Sequence, residues 1–227
     1  MNRSKAVLAL VLLVPVPSLG ALAGMVFFPK TTLGAVIFAA SKIWLFGLPV
    51  VWRIWVDRQP LSLSPPRRGG FVTGVVSGLL ISAAILGAFA LGGTALIDRP
   101  FLIGKMDAIG LNSLPVYLGC AAYWILVNSV LEEYVWRWFV VEQCTILFKP
   151  PLAIACAALF FTLHHVFALQ VYCGLPAVIA CSAGVFIGGL VWSWMYIRYR
   201  SIWPGYLSHA LADLCIFGIG AWLIFRC

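Results

Sequence analysis

Seven long apolar runs dominate this sequence, and they leave it few ways to fold. A membrane-spanning helix needs about 20 consecutive, mostly apolar residues. The runs cover approximately residues 6–28, 32–56, 70–97, 113–140, 151–170, 174–197 and 203–225. Between them lie "FFPK", "DRQPLSLSPPRRGG", "DRPFLIGKMD", "FKPP", "YCGLP" and "RYRSIWPG", where proline, glycine and charge punctuate the chain. The 227 residues are 63% hydrophobic and only 10% charged, whereas a soluble domain carries about 25% charge. A soluble protein is excluded. The expected fold class is all-α: a polytopic helical membrane bundle of about seven transmembrane helices, forming a single integral membrane domain over residues 1–227. There is no internal repeat and no low-complexity tail.

The first run carries a second signal. "MNRSK", then "AVLALVLLV", then "ALAG" has the layout of a signal peptide with a cleavage site after Ala23. The apolar stretch continues through Phe28, long enough to span, so the expectation is an uncleaved first helix.

Charge placement sets the orientation. With the N-terminus in the cytoplasm, the inner segments hold Arg3, Lys5, Arg53, Arg58, Arg67, Arg68, Arg137, Lys149, Arg198 and Arg200. The outer segments hold only Lys30, Arg99, Lys105 and Arg226, and Lys42 falls within a span. This bias follows the positive-inside rule. It predicts a cytoplasmic N-terminus and an outer C-terminus. The expected location of this multi-pass protein is the bacterial cytoplasmic (inner) membrane. The same bias accounts for the net charge of +8, so no nucleic-acid partner is expected. The seven cysteines, Cys120, Cys144, Cys156, Cys173, Cys181, Cys215 and Cys227, are odd in number and form no CxxC pair. Neither a disulfide framework nor a zinc site is expected.

The chemistry-bearing residues are concentrated inside the runs. Glu132, Glu133, Asp213, His164, His165 and His209 all fall within them, and these include every histidine of the chain. Inserting an Asp at mid-membrane costs about 2.5–3.5 kcal/mol on insertion scales, so such groups usually face the bundle interior and mark function. Spacing adds to this. In "EEYVWR", Glu133 and Arg137 are four residues apart and share a helix face, while Glu132 is turned about 100° from Glu133. In "LFFTLHHV", Phe161 pairs with His165 and Phe160 with His164 at the same spacing. In "HALAD", His209 and Asp213 repeat it. Taken singly, each is readily a packing feature: an ion pair, or a hydrogen bond between helices. Trp136 and Trp138 read as interfacial belt residues outside any site.

Taken together, the order EExxxR, FxxxH, HxxxD resembles the CAAX protease and bacteriocin-processing family, also called Abi, of glutamate-type intramembrane proteases. Glu132, Glu133 and Arg137, then Phe161 and His165, then His209 and Asp213 carry the resemblance, over roughly residues 115 to 220. The spacing between the motifs suits successive membrane helices, with one skipped before the last. The first three spans carry nothing diagnostic. The family pattern fits at His164 as well as at His165, and the preference here is His165. At its last position the family has Asn or Asp, and this chain has Asp213.

The resemblance implies hydrolysis of a peptide bond in a membrane-associated or lipid-anchored protein or peptide, without cofactor or metal. It gives Glu132 as the base that activates water and His165 as the residue that orients it. Glu133 is held by Arg137, and His209, with Asp213 behind it, faces the developing oxyanion; Asp213 orients His209 if ionised and donates directly if protonated. HExxH, GxSG and GxGD motifs of other intramembrane proteases are absent from the sequence. Two rival readings remain open: a proton-coupled transporter, since buried Glu, Asp and His also relay protons, and a non-catalytic immunity or scaffold factor. One problem of depth also stands. Counted from run ends, Glu132 and His209 lie toward the cytoplasmic side, whereas His165 lies far along its helix, deeper or nearer the opposite face.

Overall fold

A computed structural model describes residues 2–226; Met1 and Cys227, the last of the seven cysteines, lie outside the described residues. Seven helices are long and apolar enough to cross a membrane: Arg3–Phe27, Thr32–Val56, Phe71–Leu96, Leu114–Leu147, Pro150–Leu169, Leu175–Tyr199 and Trp203–Phe225. They are called the first to seventh spans below. A short helix, Arg99–Ala108, joins the third and fourth. No strand occurs among the described residues, and the six described cysteines are free.

Local chemistry sets the helix starts. Asn2, Thr31 and Asp98 accept backbone N–H groups with their side chains at the starts of the first span, the second span and the short helix. Such capping satisfies donors that the first turn cannot pair. Pro115, Pro151, Pro176 and Pro204 stand in the first turns of the last four spans, where a missing N–H costs nothing. The sixth span ends on Arg200 in the left-handed conformation, φ 54° and ψ 38°.

The fourth span organises the bundle. Seven consecutive residues, Val135 to Val141, are buried, so this stretch is enclosed on every side. Around it pack Leu13 of the first span, Leu45 and Trp52 of the second, Phe161 of the fifth, Met195 of the sixth and Ala212 of the seventh. The third and seventh spans lie against each other along a line of small residues. A methyl added to Gly74 would run into the Pro204 carbonyl, and one on Gly78 would meet Ser208 Cα at 2.9 Å. Small residues at every fourth position allow backbones to approach this closely in a membrane.

Two features correct expectations. The fourth span runs to Leu147, well beyond the expected end at residue 140. Arg137 therefore lies deep within it, 1% exposed, and does not belong with the inner-loop cations; nine remain against four. The extension also removes the depth problem. Glu132 stands as far before Leu147 as His165 stands after Pro150. Across an antiparallel pair this is the same height, about 22 Å from the connection. His209 reaches that height because the seventh span starts inside the fold. Ser201 Oγ donates to the Ser64 carbonyl at 2.7 Å and Ile202 N–H to Ser64 Oγ at 3.0 Å. The long loop after the second span is thereby pinned over the start of the seventh.

Candidate active site

Glu132 and Glu133 belong to one ordinary α-helical turn, Ser129–Glu133, set between two π-type segments, Trp124–Asn128 and Tyr134–Val141. Such widened turns are frequent at functional positions because they redirect side chains within a helix. Here the two carboxylates face different partners.

Glu133 is fully buried. Its Oε1 lies 3.4 Å from Arg137 Nε and 3.1 Å from His209 Nδ1. Its Oε2 abuts Gly205, where an added methyl would stand 2.5 Å away. The Arg137 guanidinium makes no aligned hydrogen bond among the described residues. It is held by charge and by two aromatic faces, 4.4 Å from the Phe161 ring centre and 5.1 Å from that of Trp192, an arrangement that stabilises a desolvated cation.

Glu132 is 6% exposed. Its Oε2 lies 3.8 Å from His209 Nε2. One donor atom from each of Glu132, His164 and His165 falls within 4.8 Å of the others, a set that could hold a metal ion. His165 Nδ1 is 2.9 Å from the Phe161 carbonyl. A carbonyl only accepts, so Nδ1 carries the proton and, in a neutral ring, Nε2 is left as the acceptor. His164 stacks on Trp136 with ring centres 5.2 Å apart and lies 4.1 Å from the His165 ring.

His209 links the halves of the site. Its Nδ1 meets Glu133, while Nε2 points between Glu132 at 3.8 Å and Asp213 Oδ2 at 3.7 Å. The ring lies flat on Trp192, centres 4.0 Å apart. Asp213 Oδ2 is in turn 2.7 Å from Ser129 Oγ. The structure thus brings all eight sequence candidates, Glu132, Glu133, Arg137, Phe161, His164, His165, His209 and Asp213, into one cluster from the fourth, fifth and seventh spans.

Residues 113–215 match the family model described as type II CAAX prenyl endopeptidase Rce1-like. That stretch of the chain is similar to the family, and it makes up a little under half of the 227 residues. The matched stretch contains every residue of the cluster. No curated protein and no solved structure matches the chain. Around the cluster, four residues escaped the sequence reading. Trp192 supplies the face beneath His209 and Arg137, and no spacing singles it out among ten tryptophans. Ser129 holds Asp213, and its place one turn before Glu133 was the available signal. Gly205 makes room for Glu133. Trp136 corrects an expectation: it is 1% exposed and stacked on His164, not part of an interfacial belt. Trp138 is likewise buried, stacked on Tyr134 with centres 4.7 Å apart.

Proposed function

We propose that this protein is a glutamate-type intramembrane endopeptidase that cleaves near the C-terminus of a lipid-anchored protein or peptide, in a bacterial cytoplasmic membrane. The observation that carries the reading is the convergence of Glu132, His165 and His209 from three helices on one buried polar space. Its substrate class is a chain ending in C-a-a-X with a prenylated Cys.

The reaction uses the cluster as follows. A water sits between Glu132 and His165, whose Nε2 accepts one of its protons in a hydrogen bond and fixes its direction. Glu132 takes the other proton as the water oxygen bonds to the scissile carbonyl carbon. The carbonyl oxygen becomes an oxyanion and is met by an Nε2–H of His209. Nδ1–H of the same ring donates to Glu133, so the donating form is an imidazolium, which Glu133 and Asp213 flank with carboxylates. Collapse of the tetrahedral intermediate breaks the C–N bond, and Glu132 returns its proton to the leaving amine. Arg137 fixes Glu133 and so the tilt of His209. General base catalysis of this kind contributes typically about 10²–10⁴-fold.

A second reading has its own observation. Glu132, His164 and His165 form a donor set for a divalent cation, and the His165 Nδ1–H bond to a backbone carbonyl is the usual outer support of a histidine ligand. A cation there would supply an activated water directly.

One experiment addresses both. Purified protein in bilayer mimetic is given a prenylated C-a-a-X peptide, as wild type and as Glu132→Gln. Glu132→Gln is expected to lower the cleavage rate by about 10²–10⁴-fold while thermal unfolding is unchanged; a rate within threefold of wild type excludes the base role. Wild type is expected to keep its rate after dialysis against a chelator. Loss of activity that one added divalent ion restores would favour the metal reading.

A further inference from the structure

Lys42 has no task in this reaction, yet it lies well inside the second span, Thr32–Val56. An ammonium so placed normally faces the bundle interior and finds a partner. It has no ion pair or hydrogen bond among the described residues. Its Nζ stands instead in a three-sided aromatic cage, 5.7 Å from the centre of Phe38, 5.9 Å from Phe46 and 5.7 Å from Trp124. Phe38 and Phe46 flank it one turn to either side on its own helix, and Trp124 closes the third side from the fourth span. Aromatic faces offset part of the lost hydration of a cation, but they leave its charge uncompensated.

We propose that Lys42 is the specificity residue that receives the free C-terminal carboxylate of the substrate tail. The inference rests on the endopeptidase reading above. Cleavage after the Cys of a C-a-a-X sequence leaves three residues between the scissile bond and the chain end. Three extended residues span at most about 10–11 Å. Trp124, which walls the cage, lies eight residues before Glu132, at most about 12 Å along the helix axis and less where the turn is widened. The cage is therefore one tail-length from the carboxylate that attacks through water. A lysine suits the role because its compact charge pairs with a carboxylate arriving from several angles. An anion would also complete the coordination of a cation that is otherwise unpaired in the membrane. Lys42 lies outside the matched residues 113–215, so this selection would be made by the part of the chain that frames the core.

The test compares two prenylated peptides of one C-a-a-X sequence, one ending in a free carboxylate and one in an amide, with full-length protein. Wild type is expected to prefer the acid by about tenfold or more in kcat/KM, through KM. Lys42→Met is expected to abolish that preference while cleaving the amide at the wild-type rate, and Lys42→Arg to keep most of it. If Lys42→Met does not fold, Lys42→Gln, which retains a polar tip, replaces it. Equal cleavage of acid and amide by wild type overturns the proposal. So does a preference that survives loss of the ammonium, or an equal slowing of both peptides, which marks a packing role. Cleavage of neither peptide by wild type removes the endopeptidase reading itself, and the anchor with it.

Discussion

At the scale of single residues, the two adjacent glutamates divide their partners. Glu133 is spent on Arg137 and His209, whereas Glu132 reaches the His164–His165 pair and the open Nε2 of His209. A rotation of about 100° per residue makes this split unavoidable for neighbours on one helix. The same rotation separates His164 from His165, and their surroundings differ accordingly. The Phe161 carbonyl fixes one ring nitrogen of His165. Nothing among the described residues bonds Nδ1 of His164, which rests on Trp136. His165→Ala is therefore expected to lower kcat by about 10²-fold or more, in line with loss of a group that positions the attacking water. His164→Ala is expected to cost less than about tenfold if no metal is bound. Steady-state kinetics of the two variants on one peptide check this, and equal losses would contradict it.

At the scale of elements, the site depends on how closely three helices approach. The fourth and fifth spans meet at the height of Glu132 and His165 because each extends equally far past their connection. The seventh span reaches them only because glycines admit it. Gly205 faces Glu133 with no room for a methyl, and Gly74 and Gly78 bring the third span against Pro204 and Ser208. Gly205→Ala favours the helix intrinsically by about 1 kcal/mol, yet it pushes the Glu133 carboxylate off His209. The expected outcome is a protein that unfolds at nearly the wild-type temperature but loses about tenfold or more in kcat. Unchanged kcat would show that the Glu133–His209 contact has slack.

At the scale of the whole molecule, the bundle surrounds one charged cluster with apolar side chains and, Lys42 aside, leaves the remaining charge near the ends of the helices. The bias of nine cations to four across those ends supports a cytoplasmic N-terminus. A topology reporter fused at the C-terminus is expected to read as external, and one inserted beside Arg68 as cytoplasmic; the reverse pattern would overturn the orientation. The sequence by itself determined the number of spans, since unsatisfied backbone cannot lie in hydrocarbon. It also singled out the ionisable residues that come together in the bundle, since such groups are rare enough in these runs to stand out. The order EExxxR, FxxxH, HxxxD was read through its resemblance to a protease family, and helix periodicity placed each i,i+4 pair on one face. The sequence alone did not fix the depth of each helix: residues 141–147, with Glu142, Gln143 and Thr145, read as a polar end to the apolar run, whereas they continue the fourth span up to the FKPP break and pack against the first span. Nor could it show that Trp136, Trp192, Ser129 and Gly205 serve the cluster. A stacking face, a hydroxyl held against a carboxylate and a missing methyl have no period along the chain, and only helices brought together from distant parts of the sequence give them a partner.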